Sequence, residues 1–198
     1  MSIPLLSIML PTTVDRRPKF YLLLAEVLRQ VNSLNLQDEV EILIDEDKKE
    51  KSIGTKRQDL LKRSSGEWVV GIDSDDWISG DYIKEIFGAF VLSPTIDHVG
   101  FIELCNINGE VSRSVFSIQH CKWDESQYGY DHVRCANPKS VIRREKALMV
   151  GFDDCRYGED RIFSEAVTPL LKSEVFIEKE LYYYNHTSTD HNARYGIK

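Results

Sequence analysis

The sequence has no long hydrophobic run. None of its apolar stretches approaches the ~20 residues of a membrane-spanning helix, so we expect no membrane span. The apolar stretch at residues 3–10 lacks a basic flank and runs directly into Pro11 and Thr12. That pattern is typical of a first buried strand and not of a signal peptide.

Paired cysteines are also missing. The four cysteines, Cys105, Cys121, Cys135 and Cys155, form no C-x-x-C pair, so neither a zinc site nor a redox motif is indicated. At this chain length a disulfide framework is not expected either. Reduced thiols in a cytoplasmic protein are the simpler interpretation.

Basic residues are fewer than acidic ones. Lys and Arg number 25 against 32 Asp and Glu, which gives a net charge of −7. This balance argues against a nucleic-acid partner, because sequence-independent binding to a phosphate backbone depends on basic charge. We therefore expect any phosphate ligand to bind together with a metal ion or a local basic cluster.

The first half of the chain predicts alternating strands and helices. The length of 198 residues with 42% apolar residues suits one folded domain. Strands are predicted at residues 3–10, 40–44 and 68–72, and helices at 20–31, at about 56–63 and after 79–81. Thr55 and Gln58 have capping-box spacing for the second helix. Three strand-helix repeats indicate an α/β fold with a mostly parallel sheet between two layers of helices.

The second half is less regular. Strands are expected at residues 98–104, 111–118 and 139–142, and residues 121–136 read as a long polar and aromatic loop facing a substrate. A last helix is expected to open at residues 158–160, followed by short strands at 174–177 and 181–184.

Acidic residues follow two predicted strands. Asp73, Ser74, Asp75 and Asp76 come directly after a continuous apolar run, and ligands of open α/β sheets bind beyond such strand ends. Crowded carboxylates there would be relieved by a divalent cation, whereas a solvated turn is the alternative. Asp45 ends the preceding strand and is a candidate for holding a ribose hydroxyl or a base edge.

Two further pairs of residues are candidates for chemistry. Lys56 and Arg57 would lie in the first turn of a helix, where a cation opposes the helix dipole, so an anionic ligand such as a diphosphate would explain them. Exposure to solvent is the alternative. Glu159 and Asp160 open the last helix, where they either complement its dipole or supply a general base.

Five short motifs along the chain together carry a family resemblance: Pro11-Thr12, Asp45, Gly54-x-Lys56-Arg57, Gly66-Glu67-x-Val69 leading into residues 73–76, and Gly158-Glu159-Asp160. In this order and spacing the chain resembles the family 2 glycosyltransferases of the GT-A fold over nearly its whole length. The segment at residues 137–152 is similar to the stretch that precedes the acidic helix in these enzymes.

The resemblance implies transfer of a sugar from a nucleotide diphosphate to an acceptor hydroxyl, with Mn²⁺ or Mg²⁺ as cofactor. One domain over residues 1–198 would bind the donor with about 1–95 and the acceptor with about 96–198. Asp160 would be the catalytic base, and Glu159 would orient the acceptor. The donor residues would be Pro11, Thr12, Asp45, Lys56, Arg57, Asp73 and Ser74, and the metal ligands Asp73, Asp75, Asp76 and His186.

Several points stay open at this stage. A Q-x-x-R-W signature, which processive members of the family carry, is absent after Asp160, so we expect single-sugar transfer. UDP is the commonest donor nucleotide of the family, the acceptor is a glycan or another hydroxyl compound, and a homodimer is left open. Inversion at the anomeric carbon is expected, with retention as the alternative. The rival functions are a phosphatase of the haloacid dehalogenase type and a non-catalytic nucleotide-sugar-binding module.

Aromatic and histidine residues of the second half are weaker candidates. His186 and His191 in the tail are either metal ligands or ordinary packed or exposed histidines. Trp123, Tyr128, Tyr130 and His132 in the long loop either stack on a sugar ring or anchor the loop by packing.

Overall fold

Strands and helices alternate through the first half of the chain, as the hydrophobic pattern predicts. The structure, a computed structural model, describes residues 3–120, 124–127 and 129–186, with the backbone alone at 124–127 and 186. The first half contains β1 (Leu6–Thr13), α1 (Arg17–Ser33), β2 (Val40–Asp47), α2 (Ile53–Arg63), β3 (Trp68–Gly71), β4 (Trp77–Ile78) and α3 (Tyr82–Leu92). A one-turn helix, Val14–Arg16, joins β1 to α1.

The second half contains more strands than helices. It consists of β5 (His98–Ile107), β6 (Glu110–Phe116), β7 (Asp124–Gln127), β8 (Tyr130–Arg134), β9 (Val141–Arg143), α4 (Arg144–Val150), α5 (Glu159–Val167) and β10 (Glu174–His186). Among the helices of these residues, none combines the length and the apolar character that crossing a membrane requires.

In the described part of the chain the ten strands form one sheet. Its main path runs β2-β1-β3-β9-β5-β6-β8-β7, and β10 pairs with β4 and β5. The pairs β1 with β2, β1 with β3 and β5 with β10 are parallel. The short strand β9 is antiparallel to both β3 and β5, so these two parallel groups point in the same direction. The α/β class with a largely parallel centre is confirmed.

Two hydrophobic clusters cover the two faces of the sheet. Alternate residues of β1 show the division: Leu6, Ile8 and Leu10 pack with α1 and α3 in one cluster, whereas Met9 packs with α2, α4 and α5 in the other. Side chains of a strand alternate between faces, so strands buried on both sides read as continuous apolar runs. The three-layer arrangement follows from that pattern.

The start of α2 differs from the prediction. The N-cap is Ser52, whose Oγ accepts from the Thr55 amide at 3.0 Å, and the helix begins at Ile53. The Ser52 and Thr55 hydroxyls also donate to Asp154 Oδ1 at 2.6 and 2.8 Å. This long-range contact favours the earlier cap, so Lys56 is the fourth residue of the helix, at the end of its first turn, and Arg57 is the fifth.

The predicted loop at residues 121–136 contains the hairpin of β7 and β8, which turns at Gly129 with φ +82°. Tyr130 packs against the small cluster of Ile102, Val115 and Val133, and the Arg113 guanidinium lies 5.6 Å from its ring centroid. Tyr130 is therefore a packing anchor in the hairpin. Trp123 and Tyr128 lie outside the described residues.

Candidate active site

The carboxyl ends of β1, β2 and β3 meet at one edge of the sheet. Pro11 of β1 is in register with Asp45 of β2, and β3 ends beside Met9, whose carbonyl accepts from the Ile72 amide at 3.0 Å. Asp45 near the end of β2 and residues 73–76 after β3 therefore both lie at this edge. Residues 73–76 are called the acidic loop. Parallel strands thus bring together two acidic groups that are about 30 residues apart in the chain.

At the end of β2, Asp45 and Asp47 are paired with lysines, and Glu46 is paired with Arg17. Asp45 is buried and accepts from Lys51 Nζ at 3.0 Å, and the same ammonium contacts Asp59 at 2.9 Å. These hydrogen bonds to Asp59 and Asp45 raise the pKa of Lys51 to about 12. The Lys56 ammonium is buried, pairs with Asp47 and donates to the Thr12 carbonyl oxygen at 2.5 Å. Lys56 therefore links the ends of β1 and β2.

Arg57 lies one residue further along α2 and bridges two acidic segments. Its Nη2 donates to Asp73 Oδ1 at 2.7 Å, and its Nε lies 3.3 Å from Glu159 Oε1. Burial lowers the pKa of Arg57, but the charges of Asp73 and Glu159 raise it further, so the net shift is upward. A Cβ at Gly71 would lie 3.3 Å from Arg57 Nη1, so glycine leaves room for the guanidinium beside β3.

The acidic loop has a partner for each carboxylate. Asp73 faces Arg57, and Asp75 Oδ1 accepts from Arg16 Nη1 at 2.9 Å. Asp76 is buried, and its Oδ2 accepts from the Tyr182 hydroxyl at 2.8 Å. Burial raises the pKa of Asp76 to about 7, against the opposing effect of the Lys139 charge. The loop closes on itself through a hydrogen bond from the Asp76 amide to the Asp73 carbonyl at 3.1 Å.

Three residues near the acidic loop escaped the sequence reasoning. Arg16 follows β1 directly, whereas Lys139 and Tyr182 lie far from the loop in sequence. Lys139 Nζ is 3.4 Å from Asp76 Oδ2 and donates to Glu103 Oε2 at 2.9 Å. No local pattern assigns Lys139 or Tyr182 to the loop. Lys139 falls within a segment that resembles the stretch before the acidic helix, and Tyr182 falls in the aromatic and histidine-bearing tail that begins there.

The start of α5 carries two acidic residues in different environments. Gly158, with φ +79°, precedes the helix. Glu159 is buried against Arg57, and burial raises its pKa to about 7, although the Arg57 charge opposes that shift. Asp160 is partly exposed, and its Oδ1 accepts from the Arg161 amide at 2.8 Å. A buried and a partly exposed carboxylate therefore lie next to each other.

The segment before α5 is docked on α2. A Cβ at Gly54 would lie 1.9 Å from the Asp153 carbonyl oxygen, and the Gly54 amide donates to the Cys155 carbonyl at 3.2 Å. The Phe152 amide donates to Gln58 Oε1 at 2.7 Å. Because α2 also carries Arg57, one helix fixes both the acidic loop and the start of α5.

The acidic loop supplies some of the oxygen ligands that a hard divalent cation requires. Such ions prefer oxygen ligands, and Asp73 and Asp75 offer partly exposed carboxylates. Among the described residues no three His, Cys, Asp or Glu side chains form a preformed metal centre. Asp76 is turned toward Tyr182 and Lys139. The side chain of His186 and all of His191 lie outside the described residues. Two carboxylates thus suit a cation that takes further oxygens from a ligand.

Two hydroxyl groups at this edge are unsatisfied. Within the described ranges, Thr12 Oγ1 and Ser74 Oγ are buried without a hydrogen-bond partner. Unpaired buried hydroxyls are costly. Together with Asp45 and Pro11, they mark the ends of β1, β2 and β3 as a surface that a polar ligand would complete.

Solved structures of similar fold include complexes with nucleotide sugars. TarS of S. aureus matches with a TM-score of 0.64 and 15% identity over 96% of this chain. A TarS 1-349 structure in complex with UDP-GlcNAc gives 0.63 and 14% over 91%. The mannosyltransferase PcManGT from Pyrobaculum calidifontis, in complex with GDP-Man and Mn²⁺, gives 0.55 and 12% over 92%. The chain spans 38%, 58% and 57% of those chains, respectively.

No protein-family model and no curated protein matches the chain. At 12–15% identity the structural likeness shows the fold. The chain has the GT-A fold of nucleotide-sugar-dependent glycosyltransferases.

Proposed function

We propose that the chain transfers one sugar from a nucleotide-diphosphate sugar to an acceptor hydroxyl, with inversion at the anomeric carbon. The acceptor oxygen attacks that carbon, the bond to the diphosphate oxygen breaks, and the Asp160 carboxylate takes the acceptor proton. Donor binding is assigned to about residues 1–95, and acceptor binding with the base to about 96–198.

One observation carries the proposal. Arg57 contacts Asp73 at 2.7 Å and Glu159 at 3.3 Å, so the segment that would hold the donor and the segment that would hold the base are joined through one buried cation. Displacement at carbon requires the nucleophile and the leaving group to be held together in fixed geometry. A guanidinium between the two acidic segments supports that arrangement.

The donor is proposed to lie over the ends of β1, β2 and β3. Asp45 would contact the nucleoside, and the unsatisfied hydroxyls of Thr12 and Ser74 would donate to donor oxygens beside Pro11. Lys56 and Arg57 are held by protein carboxylates, so we assign both to shaping this surface. Two of the similar structures are complexes with UDP-GlcNAc and GDP-Man, which makes a UDP- or GDP-sugar the first choice of donor.

Asp73 and Asp75 are proposed to hold Mn²⁺ or Mg²⁺ together with the donor diphosphate. When bound, the cation would offset the negative charge that grows on the departing diphosphate. Asp76 is not assigned as a ligand, because its carboxylate is buried against Tyr182 and Lys139. The Mn²⁺ of the mannosyltransferase complex supports a divalent ion in this fold.

Asp160 is preferred to Glu159 as the base because of exposure. Asp160 is partly exposed at the start of α5, where an acceptor hydroxyl can reach it, whereas Glu159 is buried against Arg57. With its pKa near 7, Glu159 carries a proton in part at neutral pH and can donate a hydrogen bond to the acceptor. We assign Glu159 to orienting the acceptor.

A donor panel tests the proposal. Purified protein with MnCl₂ is expected to bind, and slowly hydrolyse, at least one UDP- or GDP-sugar, as measured by calorimetry and nucleotide release. Asp75→Ala should abolish Mn²⁺-dependent binding. Asp160→Asn should keep binding and lower transfer by about 10²-fold or more. Asp38→Asn, an exposed aspartate at the far edge of the sheet, should leave both unchanged.

Two results would count against the proposal. Failure of every donor to bind with any divalent ion would remove the enzyme function, and full activity of Asp160→Asn would remove the assigned base. Binding without transfer would favour the non-catalytic module. The phosphatase alternative has no support from the fold, since Asp73 and Asp75 follow the third strand along the chain and the similar structures include a mannosyltransferase.

A further inference from the structure

We propose that Lys139 is a positioning residue that fixes the acidic loop from the side opposite to the donor. This inference rests on the proposed function, because it concerns the loop assigned to the donor diphosphate. Lys139 precedes β9, far in sequence from that loop, and its ammonium would act through Asp76 and Tyr182 without touching a ligand.

The Lys139 side chain is enclosed by acidic and aromatic groups. Nζ lies 2.9 Å from Glu103 Oε2 and 3.4 Å from Asp76 Oδ2. The same atom lies 4.9 Å from the ring centroid of Tyr182 and 4.4 Å from that of Tyr184. These distances are within the range of cation-π contacts. One ammonium thus joins β5, β10 and the acidic loop.

The direction of the Lys139 side chain is set by its backbone. The carbonyl of Pro138 accepts from the Gly71 amide at 2.7 Å, so the chain before β9 lies along the end of β3. The Lys139 amide donates to Asn137 Oδ1 at 3.0 Å. Residue 139 is therefore held beside the point where β3 passes into the acidic loop.

Tyr182 extends this contact to the start of the loop. Its hydroxyl donates to Asp76 Oδ2 at 2.8 Å and accepts from the Asp73 amide at 3.0 Å. The first and last residues of the loop are thereby tied to one hydroxyl, and Asp76 is tied to Lys139. The carboxylates of Asp73 and Asp75 remain on the side of Arg57 and Arg16, where the donor is proposed to bind.

A packing role alone does not explain Lys139. Burying an ammonium is costly, and a well-packed apolar side chain often serves stability as well as a buried ion pair does. The ammonium gives a fixed distance between Asp76 and the two strands, which an apolar chain would not. Groups that orient ligand-binding side chains in this way commonly change ligand affinity about 10–100-fold when they are removed.

Three variants test the inference in the full chain. Lys139→Met removes the ammonium at similar length and is expected to weaken binding of UDP or GDP with MnCl₂ about 10-fold or more. Lys139→Arg keeps a cation over the two rings and should restore affinity to within about 3-fold. Tyr182→Phe, which removes only the hydroxyl, should weaken binding in the same direction. Calorimetry gives the dissociation constants, and urea unfolding gives the stability of each variant.

A matched control lies on the same two strands. Glu174 lies at the opposite end of β10 with its side chain 6% exposed, and it pairs with His98 of β5 at 2.7 Å. Glu174→Gln should lower stability and leave nucleotide affinity unchanged. Equal loss of affinity in Glu174→Gln and Lys139→Met would overturn the inference, because the effect would then be general loosening of the strands.

The failure of this inference can be told apart from the failure of the proposed function. If the wild-type chain binds neither UDP nor GDP with MnCl₂, the proposed function fails and the positioning role fails with it. If wild type binds and folded Lys139→Met binds equally well, only the positioning role is overturned. Where Lys139→Met does not fold, unchanged affinity in Tyr182→Phe contradicts the inference.

Discussion

The two acidic strand ends are similar in sequence but differ in how their charges are balanced. At the end of β2, Asp45 is held by Lys51, whose side chain is 41% exposed. At the end of β3, Asp73 is held by Arg57, which is 6% exposed. An exposed ion pair contributes little and exchanges easily, whereas a buried pair fixes geometry and is costly to break. The end of β3 is therefore the rigid one.

At each strand end, another carboxylate departs from this contrast between an exposed cation at β2 and a buried cation at β3. Asp47, the last residue of β2, pairs with the buried Lys56, and Asp75 after β3 pairs with Arg16, whose side chain is 37% exposed. Asp75 is thus the acidic-loop carboxylate that pairs with a partly exposed cation. An exposed cation exchanges easily, so Asp75 at the otherwise rigid end of β3 suits the role of Mn²⁺ or Mg²⁺ ligand proposed for it.

The largest effect is expected from breaking the buried pair at β3. Arg57→Met leaves Asp73 and Glu159 without their common cation, and loss of one partner from a buried pair costs about 3–5 kcal/mol. We expect that loss in urea unfolding, together with loss of nucleotide release. The matched control is Arg17→Met, which breaks the exposed bidentate pair with Glu46. A similar cost for both variants would refute the contrast between buried and exposed pairs.

The next effect concerns the docking of α2 on the segment before α5. Gly54→Ala places a Cβ 1.9 Å from the Asp153 carbonyl, so the two segments must separate, at a cost of about 1–3 kcal/mol. Gly88→Ala is the control, because Gly88 lies within α3 with nothing inside 4 Å of an added Cβ. That variant should stabilise by about 0.5–1 kcal/mol. Thermal unfolding of both variants measures the difference.

The sequence predicted the first half of the chain well, because each strand and helix there follows from a local pattern of apolar and polar residues. Residues 68–72 form a continuous apolar run, and strand β3 occupies Trp68–Gly71 of it. The position of α2 was less well predicted. Both Ser52 and Thr55 have capping side chains, and only the long-range contact with Asp154 favours Ser52. The hairpin of β7 and β8 was missed because its polar sequence lacks a hydrophobic pattern.

From the sequence, the candidate site could be predicted only where its residues lie at the end of a predicted strand. Asp45 and the acidic loop follow apolar runs, so their common edge could be inferred. The partners of those carboxylates could not, since Lys139 and Tyr182 reach the loop through contacts between residues 63 and 106 positions apart. Whether Pro11, Thr12, Ser74 and the acidic residues bind a donor stays a prediction.

The Glu159 carboxyl should make stability depend on pH. Its pKa is about 7 in the folded chain against an ordinary value of 4.5. Between these values the folded state keeps a proton that the unfolded state has lost, so stability falls as pH rises through this window and levels off above it. The contribution is on the order of 3 kcal/mol. Burial likewise raises the pKa of Asp76 to about 7, so Asp76 also lowers the free energy of unfolding as pH rises toward 7.

Glu159→Gln separates the two contributions. The variant should lose part of the fall in unfolding free energy between pH 4.5 and 7, with the remainder due to Asp76. Urea unfolding at four or five pH values gives both slopes. If the slope of Glu159→Gln equals that of wild type, Glu159 is ionised throughout the range and cannot donate a hydrogen bond to an acceptor.

The smallest effect is expected at the exposed pair of the acidic loop. Arg16→Gln removes the guanidinium that lies 2.9 Å from Asp75 Oδ1, and such partly exposed pairs contribute about 0.2–1 kcal/mol. A divalent cation at Asp75 must displace Arg16, so removing the arginine should raise Mn²⁺ affinity by up to about 5-fold. Titration of free Mn²⁺ by electron paramagnetic resonance, with and without UDP, measures this change. A drop in affinity would mean that Arg16 helps to hold the bound diphosphate more than it competes for Asp75.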